Sequence, residues 1–546
     1  MSGRRGRLHR LVVPGGSAAG AVAGLTLVSR LLGFLRWVVQ ATTVGAGTVA
    51  GAYATANQVP NVLYEVVVGG ALAATVVPLL ASSARGADVE RSGRLASGLL
   101  GAVLLVLVPA SALLAVAAEP LASLLPVSAG TDPGLQRQLV ASFLRMFAVQ
   151  VPLYGLGVVL SGVLQAHGSF TWPALAPVLS SLVVMVTYGC YALLRDTEPQ
   201  TALLVLGWGT TAGVAALSLP LLLPVRRLGV RLRPALGLPR PERRRALRLA
   251  GAGTWSLLAQ QASVLVVLAL ARAGGEAGTV AVYQYTQAVF LLPYAVLAVP
   301  VATVLYPRVA AACAGGGHRA QAEAAALAAR STALVTVVAC AGAGLLVAAA
   351  PGAEAFFTRL TQVAGMERAL VALAPAVLGM SLLYQVSRVL LAADRSRSAA
   401  LATSLGWLVV SLATVLAVHR LAPGGGQGAA TLLALSLGQS AGMLVAAAAL
   451  LALLGSYTGA RALRPVGRCL LVCVPVAAGS GLLLRLLALQ AGGGWGQVLL
   501  SAAGALLAAA LVLGAGHLTQ PGLLAVLAPG GGPREGQSVQ KTGEEA

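Results

Sequence analysis

The sequence predicts an all-α polytopic membrane protein with about 14 transmembrane helices: two six-helix lobes plus two C-terminal helices. Three observations carry that prediction. The 546 residues are 58% hydrophobic and only 10% charged, whereas soluble domains run near about 25% charged. Apolar stretches of about 20 residues recur from Ala18 to beyond Leu513, each long enough to cross a hydrocarbon core of about 30 Å. They are continuous in Leu, Ala, Val and Gly rather than alternating, so the backbone polar groups find partners inside helices and not across a barrel.

Taken in order, the spans fall at 17–43, 48–82, 95–118, 136–166, 170–193, 201–225, 249–272, 278–307, 331–350, 369–392, 398–418, 428–455, 469–487 and 497–517. Residues 1–16 are a basic N-terminus. It resembles a signal-peptide n-region, but the apolar segment behind it is too long, contains Arg30 and Arg36, and runs on into another span, so a retained first helix is expected. Six spans in 17–225 form one lobe and six in 249–455 the other. The Pro/Arg-rich connection 226–248 separates them, 456–517 adds a helix pair, and the Gly/Pro-rich tail 518–546 is expected to be disordered.

The connecting charges support this count. With the N-terminus in the cytoplasm, the outer connections hold only Arg137, Arg195, Arg359, Arg368 and Arg420. The inner ones hold the remaining loop cations, nine of them between Arg226 and Arg248. That asymmetry is the positive-inside pattern, with both termini cytoplasmic. It also accounts for the net charge of +21: the arginines sit between spans and not on a soluble module, so no nucleic-acid partner is expected. The cysteines, Cys190, Cys313, Cys340, Cys469 and Cys473, read as small core residues. No histidine or further cysteine completes a metal set, so neither metal nor cofactor is expected.

Six arginines lie in or at the ends of spans: Arg30, Arg36, Arg145, Arg272, Arg388 and Arg485. Arg272 and Arg485 are near enough to an end to snorkel. Arg30 and Arg36 lie within the first span, and each would cost roughly 2.5–3.5 kcal/mol at the bilayer centre, so they must face a polar cavity or a partner. Glu65 is the one carboxylate inside a span and the natural ion-pair candidate for either. One reading is a pair that only holds the first two helices together. The other is a cationic cavity tuned by Glu65, with Asn57, Gln58 and Asn61 around Pro60 adding neutral donors and acceptors. Guanidinium takes two phosphate oxygens at once, so such a cavity suits an anionic lipid headgroup. Pro60 and Pro293 interrupt the second and eighth spans, which end alike in Ala74–Pro78 and Ala302–Pro307; paired broken helices point to a transporter's central site.

The stretch Ser29-Arg30-Leu31-Leu32-Gly33-Phe34-Leu35-Arg36 resembles the first-helix motif of the MurJ (MviN) lipid II flippases, within the multidrug/oligosaccharidyl-lipid/polysaccharide exporter superfamily. The resemblance continues through Gly45-Ala46-Gly47, Ala56–Asn61, Gly69–Leu72 and Val77-Pro78, then Leu292-Pro293-Tyr294, Thr303–Arg308 and Arg388-Val389-Leu390 with Asp394 and Arg395. It implies a transporter and not an enzyme. Two lobes would alternate around a cationic cavity and move the undecaprenyl-pyrophosphate-linked disaccharide-pentapeptide across the bacterial cytoplasmic membrane, with the last two helices forming a groove for the lipid tail. The family's essential first-helix arginines fall on Arg30 and Arg36 and its serine on Ser29. Arg272, Arg388, Asn57, Gln58, Asn61 and Glu65 complete the expected binding set. Membrane lipids and cell-wall synthesis proteins are the further partners. The sequence departs from many members at Trp37, where they carry an acid, at Gly51, where proteobacterial members have Asp, at Tyr64 and Glu65, where they have paired basic residues, and at Gln287 or Ala288, where they have an arginine. Tyr-Glu and Gly-Gly in the second helix are characteristic of actinobacterial members.

Other functions remain open at this level. They are export of another undecaprenyl-linked glycan or of drugs, a non-transporting scaffold of cell-wall synthesis, and a membrane glycosyltransferase. A drug exporter would want more intramembrane acids than Glu65. An enzyme would want a carboxylate cluster, which Glu119, Asp132, Asp196 and Glu198 do not form. No phosphate-binding loop of the GxxxxGK[ST] type is present, so energy would come from an ion gradient or the membrane potential, worth about 2.3 kcal/mol per charge per 100 mV.

Overall fold

The computed structural model describes residues 16–66, 80, 89–233, 235, 254–315 and 317–523. The N-terminal arginines, Gly69–Leu72, the Ala74–Pro78 echo, most of the 226–248 connection and the tail lie outside the described residues.

Among the described residues the chain is helical throughout, with one isolated β-bridge between Ala129 and Glu276. The helices are α1 (Gly16–Thr43), α2 (Thr48–Tyr64), α3 (Val89–Val116), α4 (Ala118–Leu124), α5 (Pro133–Ala148), α6 (Gln150–Ala166), α7 (Thr171–Leu194), α8 (Pro199–Ser218), α9 (Leu222–Arg227), α10 (Thr254–Gly274), α11 (Thr279–Pro293), α12 (Val299–Cys313), α13 (His318–Thr358), α14 (Met366–Ala392), α15 (Ser396–Leu421), α16 (Gly428–Thr458), α17 (Arg464–Leu489) and α18 (Gly494–Thr519).

Local chemistry sets where they begin and end. Asp132 accepts from the Gly134 and Leu135 amides and Pro133 takes the first helical position, so α5 starts there. After α6, Gly168 adopts φ +77° and Ser169 N–H reaches back to the Leu164 carbonyl, closing the helix with a left-handed residue. Asp394 makes the same turn after α14 with φ +59°, and Arg395 N–H bonds the Leu390 carbonyl. The cation Arg195 donates to the Thr43 carbonyl at the end of α1, the pole that favours positive charge.

Twelve stretches are long and apolar enough to cross a membrane, from Glu90–Val116 to Gly494–Thr519, and they coincide with the third to fourteenth predicted spans. The first predicted span is the 28-residue α1, whose apolar run is diluted by Arg30 and Arg36. Of the second, only the part up to Val66 is described. Large apolar side chains such as Leu105, Val116, Leu193, Leu401, Leu471, Leu506 and Leu518 stand exposed on these helices. Water would not tolerate so broad an apolar exterior, whereas lipid tails favour it.

Two compact units divide the chain. The first comprises Met1–Val289, Ala353–Ala372 and Trp407–Gly442, and the second comprises Phe290–Gly352, Leu373–Gly406 and Met443–Ala546. In the first unit α1 packs along α7, α2 along α5, and α7 along α8. One of its cores joins Leu95, Leu99, Leu160, Val163, Leu164, Leu221 and Val225. In the second unit α17 packs along α18, and Cys340, Cys469 and Cys473 are buried with Leu305, Val337, Ala477 and Val512. The cysteines of that core are free thiols, in keeping with small core residues.

Candidate functional site

In α1, Ser29 and Arg36 are seven residues apart and therefore on one face, while Arg30 is turned about 120° away. The structure follows that geometry: Ser29 and Arg36 are half-buried and Arg30 is exposed. The Arg36 guanidinium lies 5.5 Å from the centre of the Trp37 ring, and Trp37 meets Tyr285 edge-on at 6.2 Å. The Nε of Arg36 is buried with no acceptor among the described residues, and so is the Nε2 of Gln40, one turn along the same face.

A chain of hydroxyl groups runs up to this face. Tyr53 bonds both Thr210 Oγ1 and the Tyr188 hydroxyl at 3.0 Å, and Tyr188 donates to Gln40 Oε1 at 3.0 Å. Tyr53 and Gln40 are almost wholly buried, and Arg36 lies within electrostatic reach of Tyr53, Tyr154 and Tyr188. Sequence reasoning passes over Gln40, Tyr53, Tyr188 and Thr210. Their one signal is polarity inside apolar runs, which does not say which of them meet.

In α2, Pro60 is buried and Asn57, Gln58 and Asn61 beside it are half-buried. Asn61 Oδ1 accepts from the Tyr154 hydroxyl at 3.1 Å, and the Tyr154 ring lies against that of Tyr64 with centres 4.5 Å apart and planes inclined at 46°. The expected ion pair is not formed: Glu65 is exposed and, among the described residues, neither Arg30 nor Arg36 has a carboxylate within 4.0 Å. The reason is packing. Helix α1 lies along α7 while α2 lies along α5, and counting from the turn between them Glu65 sits about ten residues, roughly 15 Å, deeper than Arg36.

Arg272 also departs from expectation. It does not snorkel: it is 1% exposed, its Nε donates to the Pro126 carbonyl at 2.7 Å and its Nη1 to Thr55 Oγ1 at 3.1 Å. Backbone bonds surround this anchor, from Ala129 N–H to the Gly275 carbonyl and from Gln427 N–H to the Gly274 carbonyl. Two of the sequence departures find a structural setting in the same unit. At Gly51 a side chain would collide with the Ala277 carbonyl, so no larger residue fits. Gln287, which with Ala288 stands near the place of the expected arginine, donates to Gln439 Oε1 at 2.6 Å.

In the second unit, Arg388 is half-buried with its guanidinium 4.1 Å from the Tyr384 ring centre and 5.5 Å from that of Tyr306. Arg145, another of the six arginines in or at the ends of spans, bonds Glu119 at 2.6 Å with both side chains exposed. No group of His, Cys, Asp and Glu among the described residues could hold a metal ion.

The family model for the lipid II flippase MurJ matches residues 40–502. The chain belongs to the MurJ family. The match takes in α2 and every expected site residue from Asn57 to Arg388, and begins after Arg36. Among curated relatives, a probable lipid II flippase MurJ of Rhizobium tropici is 28% identical over 295 residues, 53% of this chain and 54% of that protein. A lipid II flippase MurJ of Burkholderia cenocepacia is 27% identical over 295 residues, 52% and 55% respectively. The chain thus aligns over about half the length of these curated relatives. A solved MurJ lipid II flippase in an inward closed conformation superposes with a TM-score of 0.67 at 17% identity, covering 90% of this chain and 98% of that one. An inward-facing multidrug resistance transporter of the MATE family superposes at 0.62, with 16% identity over 80% of this chain and 98% of that one. The fold is therefore shared across transporters named for different cargoes, and the MurJ family is set by sequence.

Proposed function

We propose that this chain is a lipid II flippase of the bacterial cytoplasmic membrane, with both termini cytoplasmic. It would carry the undecaprenyl-pyrophosphate-linked disaccharide-pentapeptide between leaflets by alternating access of two six-helix lobes, 17–225 and 249–455. The observation that carries this reading is Arg36. It is a guanidinium inside a predicted span of a MurJ-family chain, half-buried, with a buried Nε that no described group accepts and, among the described residues, no carboxylate within 4.0 Å. A charge kept at such cost is explained by an anionic cargo that supplies the missing acceptors. Ser29 shares the Arg36 face, and Asn57, Gln58 and Asn61 offer neutral donors and acceptors for the polar headgroup. Arg30, exposed on the adjoining face, adds positive potential. Glu65 remains in the set as a modulating charge and not as an ion-pair partner. Arg272 contributes by holding α2, through Thr55, against the 125–132 connection, through Pro126.

The test is complementation. The chain is expressed in bacteria depleted of their own lipid II flippase, and lipid II at the outer leaflet is assayed. Flipping that is lost in Arg36→Ala and Arg30→Ala at normal expression supports the reading. Folded, membrane-inserted protein that never exposes lipid II, in that host or its own, would turn it towards another undecaprenyl-linked glycan or a non-transporting role in cell-wall synthesis.

A further inference from the structure

The face of α1 that carries Arg36 also carries a second buried donor that the protein leaves unused. We infer that Gln40 is a further cargo contact, whose amide takes an uncharged oxygen of the sugar next to the pyrophosphate and so selects the sugar-bearing lipid over the bare lipid diphosphate. The inference rests on the flippase reading above for the cargo, and adds to it a residue and a discrimination.

Gln40 lies one turn beyond Arg36, about 6 Å further along the helix axis. It is 1% exposed, and its Nε2 has no acceptor among the described residues. A buried amide nitrogen left without a partner is costly, and in native proteins such groups are nearly always paired. The other end of the same amide is held. Tyr188 donates to Gln40 Oε1 at 3.0 Å, the Tyr188 and Tyr53 hydroxyls meet at 3.0 Å, and Tyr53 meets Thr210 Oγ1 at 3.0 Å. Residues from α7, α2 and α8 thus brace one side chain of α1 by its oxygen and leave its nitrogen outside the network.

Tyr285 of α11 adjoins the Gln40 side chain. Its hydroxyl donates to the Gly45 carbonyl at 2.6 Å and its ring meets Trp37 edge-on, yet no acceptor, its oxygen included, lies within hydrogen-bond distance of Nε2. Helices α1 and α11 belong to the two lobes that part in alternating access. As they part, Tyr285 leaves with α11 and the Gln40 nitrogen is bared beside Arg36. The chemistry of the two donors then divides the cargo between them. Arg36 supplies the charge and fork that a phosphoryl group wants. Gln40 is neutral, and a carboxamide matches a hydroxyl or an amide carbonyl. A cargo with a sugar oxygen one turn from the phosphate fills the unused donor. One that ends at the phosphate leaves it unpaired, and a site built for a hydrogen bond discriminates against the analogue that cannot make it.

The experiment uses the full chain in nanodiscs. Binding of lipid II and of undecaprenyl pyrophosphate is measured for the parent, Gln40→Leu, Tyr188→Phe, Arg36→Gln and the double variant Gln40→Met with Tyr188→Phe, with thermal melting as the folding control. The double variant removes both partners of the Tyr188 bond, so it strands nothing and stands in if Gln40→Leu melts low. Gln40→Leu is expected to lower lipid II affinity about fivefold, the loss of one neutral hydrogen bond, and to leave undecaprenyl pyrophosphate at the parent level. Tyr188→Phe lowers lipid II affinity less, because the amide keeps its donor and loses only its brace. Arg36→Gln weakens both ligands. Equal losses for the two ligands in Gln40→Leu and in the double variant would overturn the sugar assignment and put Gln40 on the phosphate. Unchanged affinity for both, beside a clear loss in Arg36→Gln, would overturn the contact and leave the flippase reading standing. A well-folded parent that binds neither lipid would overturn both.

Discussion

Arg272 and Arg388 each carry a guanidinium into a membrane span, and their surroundings could hardly differ more. Around Arg272 the protein supplies oxygens: the Pro126 carbonyl and Thr55 Oγ1 take its protons, and the residue is sealed. Around Arg388 the protein supplies ring faces, at 4.1 and 5.5 Å, which take no protons. What separates an arginine that holds the fold from one that can hold a ligand is therefore not burial or depth. It is whether the protein itself has used the N–H groups.

The comparison breaks most easily at Arg272. Arg272→Ala should destabilise the protein by about 3 kcal/mol, because a large side chain leaves a cavity and two oxygens lose a charged donor. Thermal melting of the detergent-solubilised protein checks this, and a melting curve like the parent's would show that the anchor holds nothing. Arg272→Met should lose clearly less, since the volume is kept.

Next is the backbone contact beside that anchor. A methyl group on Gly278 would run into the Ala46 carbonyl, and backbone cannot swing aside. Gly278→Ala should cost about 2 kcal/mol by overpacking, whereas Gly479→Ala, with nothing within 4 Å of the added carbon, should melt like the parent or slightly higher.

A smaller effect is expected at the hydroxyl chain. Tyr53→Phe removes one buried hydroxyl and strands parts of Tyr188 and Thr210, at about 1 kcal/mol. If Tyr188 and Gln40 matter only through stability, Tyr53→Phe will leave the affinity for undecaprenyl pyrophosphate at the parent level. A drop would mean that the chain also orients the face that bears Arg36.

The smallest stability effect should be at Arg388 itself. Arg388→Gln removes contacts to two ring faces on a half-buried side chain, worth roughly 0.5–1 kcal/mol, while costing about tenfold in ligand affinity. That split between melting and binding is the reverse of the one expected at Arg272.

Much of this architecture is legible in the order of residues. The third to fourteenth spans follow from apolar run length alone, and the caps at Asp132, Pro133 and Gly168 from local rules. Arg36 and Arg388 stand out because an uncompensated cation in an apolar run demands an explanation. The snorkelling expected of Arg272 and the pairing expected of Glu65 do not occur, for one shared reason. Both expectations measure distance along the chain. Neither contains the packing of α1 on α7 and α2 on α5, or the connection through Pro126 that turns its carbonyl inward.

The order of residues alone dictates the solvent this protein lives in, the helical class, the positions of most spans and the residues whose charge is costly in a membrane. Those are consequences of side-chain transfer energy and helix geometry, which act within about twenty residues. What each costly group meets is settled by tertiary packing: a carbonyl for Arg272, tyrosine rings for Arg388, and for Arg36 a tryptophan ring, with its buried Nε unmatched among the described residues. Hydrogen bonds and ring contacts reach only a few ångströms. Which ones form depends on the packing of helices far apart in the chain, and no pattern of apolar residues along one helix encodes that choice.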